Sequence, residues 1–275
     1  MVDKNYLHTA YANSADGTDG FTTVYPNLNL LKNTRNLTAT TNTTVWDTLF
    51  KSSQIYDSAI KSKTGVSAMN FSFDAYVPLN AVVGRIIPIF LSAQNPNAHG
   101  DIGNNSYYTI ISRWDSYNIK QSDLGKTIRV SLPIDLAGNY KSFDTALADT
   151  DSITIRQAGD VAGFVYSRLK LEPGSTATPH MPSANEVTTA DWPKYVGTYV
   201  DTNPVSSTVS SKYDWDEMKY RVYLDGTPVG GSKLLSFDLE NLKADTTYNV
   251  QVSQINGKVE SDKSESVSFK TTLIK

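Results

Sequence analysis

The sequence predicts an all-β protein made of antiparallel sandwiches, and three observations support that prediction. Segments that alternate apolar and polar residues recur along the chain, separated by turn-forming glycine, proline, asparagine and aspartate. Only 19% of the 275 residues are charged, whereas tyrosine occurs 16 times. Aromatic and β-branched side chains fit a pleated, half-buried surface. Many short strands with turns between them are typical of sandwiches and barrels.

Composition excludes several classes of protein. The net charge is -3 and the isoelectric point is about 5.6, so no basic surface for nucleic acid is indicated. The chain has no cysteine, which excludes disulfides and thiolate metal sites. No apolar run approaches the ~18 residues of a membrane span, and the N-terminus lacks the apolar core of a signal peptide. We therefore expect neither nucleic acid nor a membrane as a partner, and an extracellular role would need another route out of the cell, such as lysis.

The N-terminal segment is predicted to hold one strand, over residues 6–13, followed by the turn-forming pairs Asp16-Gly17 and Asp19-Gly20. A single strand is not stable alone in water, so we expect this one to pair with residues 195–215. The predicted domains are the N-terminal strand of a split module at 1–24, a sandwich at 25–184, and the rest of the module with a second sandwich at 185–275. The two ends of the central domain are then expected to lie close together.

Strands are predicted throughout the central domain, at 69–77, 85–93, 107–114, 126–132, 152–156 and 163–166. Pro78 ends the first of these, and Pro88 indicates that the second is an edge strand or contains a bulge. Residues 45–63 are predicted as strand and loop. The spacing of these segments favours an antiparallel sandwich.

The central domain is predicted to end with a strand and an extended exit. In the strand, Tyr166, Arg168, Lys170 and Glu172 alternate with Ser167, Leu169 and Leu171. Pro173 and Gly174 stop it, because proline lacks a ladder donor and proline followed by glycine favours a tight turn. Pro179 and Pro182 then keep the chain extended.

This ending carries a family resemblance. The stretch LKLEPGSTATPHMPS, residues 169–183, resembles the last strand and exit of galactose-binding-like, carbohydrate-binding jelly rolls in phage tail proteins and bacterial glycanases. Residues 27–31, NLNLL, resemble the opening of the same domain. The resemblance covers residues 25–184 and implies a jelly-roll sandwich. The alternative is another β-sandwich with a chance match.

Two further resemblances concern the flanks. The fragments YANSADG (11–17), YVGTYVD (195–201) and YDW (213–215) resemble a small module repeated along phage tail-fibre and baseplate proteins. Residues 242–252, LKADTTYNVQV, resemble the corner of a fibronectin type III domain, which implies that a buried Tyr248 hydroxyl bonds nearby backbone. Trp215 matches the core tryptophan of that family, but the loop before Tyr220 is short, which leaves the first two strands open. The alternative is that these strands are shared with the split module.

No catalytic constellation is predicted. His8, His99 and His180 are scattered and have no carboxylate spacing typical of a metal site or a triad. A glycosidase carboxylate pair stays open, because its two members are often far apart in sequence. We expect a protein that is not an enzyme.

A saccharide site is predicted where an aromatic platform and hydrogen-bonding side chains occur together. Trp114, with Arg113 and Asp115 at the end of a predicted strand, is the favoured centre. The full predicted set is Trp114, Arg113, Asp115, Tyr117, Tyr107, Gln94 and Asn105, with Trp46 as a second aromatic candidate. The alternative is that Trp114 is a core residue and the Asn-rich run a solvated loop. Trp192 is predicted to pack between domains.

The jelly-roll resemblance also implies a structural calcium ion near the meeting point of the first and last strands. The oxygen donors available there are Asn27, Asn29 and Glu172. The alternative places Glu172 on the surface beside the turn.

Together the resemblances imply a non-catalytic, carbohydrate-binding part of a phage tail or baseplate protein. It would act at the tail tip, outside the host, and attach to cell-wall polysaccharide of a Gram-positive bacterium. Its expected partners are that polysaccharide and other tail or baseplate subunits. The alternatives are an accessory region of a secreted glycanase or surface adhesin, and a structural spacer without a ligand.

Overall fold

The computed structural model describes residues 4–42, 47–50, 69–85, 87, 89–94, 108–113, 117–134, 152–157 and 162–272. Regular structure in these ranges consists of β-strands and single-turn 3₁₀ helices, and the strands pair in antiparallel fashion. The predicted all-β, antiparallel fold is confirmed. Across the same ranges, no helix is long and apolar enough to cross a membrane.

The chain forms two compact units. The flanking unit comprises Met1–Asn27 and Thr188–Lys275, and the inserted unit comprises Leu28–Val187. The strands of the flanking unit are β1 (Tyr6–Ala12), β2 (Phe21–Thr22), β11 (Tyr195–Asp201), β12 (Asp214–Glu217), β13 (Tyr220–Leu224), β14 (Thr227–Ser232), β15 (Thr247–Asn256), β16 (Val259–Glu260) and β17 (Val267–Lys270). Those of the inserted unit are β3 (Thr38–Thr40), β4 (Asp47–Phe50), β5 (Met69–Tyr76), β6 (Ile89–Gln94), β7 (Tyr108–Arg113), β8 (Thr127–Ile134), β9 (Ser152–Gln157) and β10 (Val165–Pro173).

The first sheet of the flanking unit joins the two ends of the chain. Its strand order is β12-β11-β1-β2. Strand β1 pairs with β11 over its whole length, from Tyr6 opposite Asp201 to Ala12 opposite Tyr195, so the predicted pairing of the N-terminal strand is confirmed. The buried His8 adds a side-chain bond, 3.0 Å from Nδ1 to the hydroxyl of Ser206, which lies 198 residues away in sequence. Neither end of the chain can form this sheet alone.

The three fragments of the tail-type motif meet around one indole ring. Trp215 in β12 lies opposite Gly197 in β11, and a Cβ on Gly197 would stand 2.8 Å from the ring. A Cβ on Gly17, whose φ is +66°, would stand 2.5 Å from it. Only glycine lets the backbone approach a ring this closely. The described contacts of Trp215 lie within the first sheet, and its match to the core tryptophan of a fibronectin type III domain stays a prediction.

The second sheet of the flanking unit surrounds a buried arginine. Its order is β14-β13-β15-β16, with β17 also paired to β15. Arg221 in β13 is 4% exposed; its Nε donates to the Tyr25 hydroxyl at 3.0 Å and its Nη1 to the Glu260 carboxylate. The guanidinium lies 5.1 Å from the ring of Trp192, which stacks on Tyr25 at 5.7 Å. Trp192, predicted to pack between domains, therefore packs within the flanking unit.

Within its described residues, the inserted unit contains two four-stranded antiparallel sheets. Their strand orders are β3-β10-β5-β8 and β4-β9-β6-β7. Alternate residues of β5 point into the unit because strand side chains have a period of two. The core residues are mainly aliphatic and aromatic: Leu31, Phe50, Met69, Phe71, Phe73, Ala75, Val77, Ala81, Ile87, Ile119, Val130, Leu132, Phe164, Tyr166, Leu169 and Leu171.

A bulge in β10 changes which of its side chains face this core. The pairing with β5 shifts by one residue, so that Arg168 and Leu169 together stand opposite the single Phe73. Arg168 has a φ of 49°, the left-handed conformation that accommodates an extra residue in a bulge. As a result Tyr166 shares the core side with Leu169 and Leu171. The strict alternation predicted for this strand is therefore wrong.

Tyr248, at the start of β15, shows part of the predicted corner. Its hydroxyl accepts a hydrogen bond from the backbone N–H of Lys243 at 2.9 Å, so the predicted bond to nearby backbone is present. The ring is half-buried, not buried as predicted, and stacks on Phe269 with centroids 5.8 Å apart. The assignment to the fibronectin type III family stays a prediction.

We expect Tyr248→Phe to lower the free energy of unfolding by about 0.5–1.5 kcal/mol, because the exposed Lys243 N–H can bond water once the hydroxyl is gone. Urea denaturation of the chain measures this change. The control is Tyr220→Phe, since no described residue bonds the Tyr220 hydroxyl. A loss above about 3 kcal/mol would contradict this view and indicate a fully buried hydrogen bond.

Candidate functional site

The strand register aligns four residues at one end of the sheet β4-β9-β6-β7. Asp47 pairs with Gln157 in β9, which pairs with Ile89 in β6. Ile89 pairs in turn with Arg113 in β7. Because neighbouring strands lie about 4.8 Å apart, the distance from Asp47 to Arg113 across the sheet is about 14 Å. We call these four positions the end row.

The two outer positions of the end row are sequence neighbours of the two aromatic candidates, Trp46 and Trp114. Trp46 is the chain neighbour of Asp47, and Trp114 is the chain neighbour of Arg113. Asp47 and Arg113 are the two outer positions of the row. The predicted site residues that lie outside the described residues are Trp46, Asn105, Tyr107, Trp114 and Asp115.

Gln94 lies at the other end of the same sheet. It is the last residue of β6 and pairs with Ser152, whereas Ile89 begins the strand and belongs to the end row. Five residues along a strand correspond to about 17 Å. The structure therefore does not place Gln94 beside Arg113, although both were predicted in one cluster because they are close in sequence.

Tyr117 belongs to a turn that also includes Lys120 and Asp123. Its hydroxyl donates to Asp123 Oδ2 at 2.8 Å, and the same carboxylate oxygen accepts the Lys120 N–H at 2.8 Å. Burial and the neighbouring Asp123 raise the pKa of the Tyr117 hydroxyl. Its backbone carbonyl accepts the N–H of Ile87 at 2.8 Å. These bonds fix the turn, so the described contacts give Tyr117 a structural role.

Asn29, a predicted calcium ligand, forms hydrogen bonds through both atoms of its side-chain amide. Its Nδ2 donates to the Thr34 hydroxyl at 2.8 Å and to the Leu169 carbonyl at 2.7 Å. Its Oδ1 accepts the backbone N–H groups of Leu31 and Leu171, each at 3.0 Å. This side chain therefore ties the first segment of the unit to its last strand.

Glu172, another predicted ligand, forms a completely buried ion pair with Lys170. The Lys170 Nζ lies 3.0 Å from Glu172 Oε2, and neither side chain is exposed. Thr178 donates its N–H to Oε1 at 2.8 Å and its hydroxyl to Oε2 at 2.5 Å. Lys170 also donates to the Pro179 carbonyl at 2.7 Å. Burial lowers the pKa of Lys170 to about 8, although Glu172 acts in the opposite direction.

Two of the three residues predicted to bind calcium already use their oxygen atoms in contacts with the protein. An ammonium group already neutralises Glu172, and the amide oxygen of Asn29 accepts two backbone N–H groups. In the described ranges, no three His, Asp or Glu side chains are grouped so as to hold a metal.

Sequence reasoning missed the Lys170–Glu172 pair. The available signal was the spacing, because opposite charges two residues apart on a strand lie on the same face. The exit segment, residues 174–182, contributes the Thr178 and Pro179 groups that bond the pair. The charged residues therefore attach the exit segment to β10.

Comparison with known proteins identifies the family. A family described as a domain of unknown function (DUF7013) matches residues 25–183, and one described as minor structural protein 5-like, C-terminal domain (BppU-like_C), matches residues 193–251. In the solved structure of the tripod (BppUct-A-L) from the baseplate of bacteriophage Tuc2009, one chain is 49% identical, with 100% of both chains covered and a TM-score of 0.73. The chain belongs to this family of phage baseplate proteins. As a baseplate protein it is a structural component of the virion tail.

The other comparisons add no functional information. No curated protein matches the chain. A β-1,2-glucanase from Parabacteroides distasonis aligns with 99% of this chain and 37% of its own, at 12% identity. Its TM-score of 0.26 is too low to show a shared fold.

Removing one member of the buried pair leaves an uncompensated charge. We expect Lys170→Met to lower the free energy of unfolding by about 3–5 kcal/mol, and Glu172→Gln added to it to recover much of that loss. Urea denaturation measures both. The matched control is Lys219→Met, which breaks the exposed pair with Glu217 and is expected to cost less than about 1 kcal/mol. Equal losses at the two sites would contradict the buried pairing.

Calcium removal provides a second test. Because the carboxylate of Glu172 is paired with Lys170, we expect EDTA and added calcium chloride to leave the melting temperature of the chain unchanged. Differential scanning calorimetry at matched ionic strength measures this. A rise in melting temperature with calcium but not with magnesium would support the predicted calcium site.

Proposed function

We propose that this baseplate protein attaches the virion to its host by binding a saccharide of the bacterial cell wall at the end row, without catalysing a reaction. The observation that supports this is the register of the sheet β4-β9-β6-β7. It aligns the strand positions next to Trp46 and Trp114, which are far apart in sequence.

The composition of the end row suits sugar recognition. The apolar C–H face of a pyranose stacks on an aromatic ring, while carboxylate, amide and guanidinium groups bond the hydroxyls. The row contains one residue of each polar type, Asp47, Gln157 and Arg113. Trp46 and Trp114 adjoin the two outer positions of the row in sequence, and we infer that they supply the aromatic component of the site.

The strand order supports a jelly-roll assignment for the inserted unit. The eight strands described in this unit form two four-stranded antiparallel sheets, and successive strands lie in different sheets except for β6 and β7. This is the winding of a double Greek key. Binding residues commonly lie at strand ends and loops of such rigid scaffolds, which agrees with a site at the end row.

The baseplate relative supports a role in a larger assembly. Its structure is described as a tripod from a phage baseplate. We infer that this chain likewise contacts other baseplate subunits and acts at the tail tip, outside the host cell. Several copies on one virion would bind a polymeric wall with high effective concentration, so a weak single site is sufficient for attachment.

Two alternatives remain. A structural spacer without a ligand agrees equally well with membership of the baseplate family. An accessory region of a glycanase or adhesin is less well supported, because the 49% identical relative belongs to a baseplate. Saccharide binding by the isolated chain distinguishes the spacer from our proposal.

We expect Trp114→Ala and Trp46→Ala each to weaken binding of host cell-wall polysaccharide about tenfold or more. A stacked indole that covers about 60 Å² of apolar sugar surface contributes about 1.5 kcal/mol, which corresponds to about tenfold in Kd. Isothermal titration calorimetry measures the affinity, and a thermal melt of each variant reports whether the fold is kept.

The control is Gln94→Ala at the opposite end of the sheet, for which unchanged affinity is expected. If a tryptophan variant loses its fold, Arg113→Gln tests the same end of the sheet with less disturbance of packing. Loss of binding in Gln94→Ala alone would indicate that the saccharide binds at the end of the sheet opposite to the end row. If the unmodified chain binds no wall glycan, the alternative of a structural spacer without a ligand is favoured.

A further inference from the structure

The bulge of β10 gives one cation an unusual backbone position. Arg168 has a φ of 49°, which residues other than glycine seldom adopt. The Nη1 of Arg129 donates to the Arg168 carbonyl at 2.7 Å and so holds this conformation. The Arg168 side chain remains 55% exposed. Bulges often re-aim a side chain beside a functional site, and here the re-aimed side chain is a guanidinium.

The charges around this guanidinium are not balanced. Arg129 and Arg168 share the single carboxylate of Asp74, with distances of 2.9 and 3.3 Å to its two oxygens. Lys170 is neutralised by Glu172. Among the described residues, only Asp74 bonds the Arg168 side chain, through Nη1. The cluster therefore has a net positive charge and unused guanidinium donors.

His180 in the exit segment lies beside this cluster, because the carbonyl of its chain neighbour Pro179 accepts a hydrogen bond from Lys170 Nζ at 2.7 Å. Its Nε2 is buried and has no hydrogen-bond partner among the described residues. Burial, and then the positive charges of Arg168, Arg129 and Lys170, lower the pKa of the ring to about 4, while Asp74 acts in the opposite direction. In the tautomer that carries its proton on Nε2, the ring presents this buried nitrogen as an N–H donor without an acceptor among the described residues.

We propose that Arg168 and His180 form a binding site for a small oxyanion, a phosphate or carboxylate group. A guanidinium presents a planar fork of N–H groups that matches such an anion, and the His180 ring supplies a further donor. The anion balances the excess charge of the cluster. This site involves the sheet β3-β10-β5-β8, so it is separate from the end row and does not depend on the saccharide proposal.

The test follows the His180 ring of the full chain by NMR, with its signals assigned through their loss in His180→Gln. Sodium dimethyl phosphate and sodium acetate are added in separate titrations, with ionic strength held constant by sodium chloride. We expect a saturable shift of the ring signals with at least one of the two anions. We also expect the pKa of His180 to rise, because a bound anion stabilises the charged ring. The two titrations distinguish a phosphodiester ligand from a carboxylate ligand.

Variants at Arg168 separate binding from folding. Arg168→Gly removes the guanidinium and adopts a positive φ without strain, so the bulge is kept and anion affinity is expected to fall about tenfold or more. Arg168→Lys keeps the charge and should retain part of the affinity. Lys126→Gln, a change of one exposed charge in the same unit, is the control. An equal shift with chloride alone, or unchanged affinity in Arg168→Gly, would overturn the proposal.

Discussion

One buried cation organises the flanking unit. Arg221 needs neutralising and covering groups, because an unpaired charge in the interior is strongly destabilising. They come from three segments: Tyr25 from the N-terminal part, Trp192 from the chain just after the insertion, and Glu260 from the C-terminal part. The unit is therefore complete only when both of its sequence halves are present. Tyr25 and Trp192 stack on each other, so the two connections to the inserted unit begin side by side.

The sequence was sufficient to predict most of the longer strands and the long-range pairing of β1, because alternation is a local signal and a lone strand has to pair. The short strands β2 and β3 were not predicted, and the strand predicted at 85–93 begins at Ile89. The sequence was not sufficient for the bulge in β10. Arginine has no special tendency toward positive φ, so nothing in the residue type marks Arg168 as an extra residue. Burial of Lys170 and Glu172 was likewise missed, since charged side chains are usually exposed unless paired.

The candidate site shows a different limit of sequence reasoning. Trp46 and Trp114 were proposed by residue type and stay predictions. Closeness in sequence grouped Gln94 with Arg113, but the sheet separates them. Asp47 and Gln157 were not predicted, although the register aligns them with Arg113. A site at the end of an antiparallel sheet is assembled from strands that are distant along the chain. The strand order and register, which are not apparent from the sequence, determine which strand ends are neighbours.

The pairing of β1 with β11 also has a consequence for the order of folding. His8 and its partner Ser206 are separated by 198 residues, and at 5–20 residues per second a ribosome needs roughly 10–40 s to synthesise that interval. The inserted unit is complete before β11 emerges, so it can fold while β1 still lacks its partner. A folded insertion shortens the effective loop between β1 and β11 and lowers the entropy cost of closing it. Folding of the inserted unit before β11 is synthesised is therefore expected to favour the later pairing of β1 with β11.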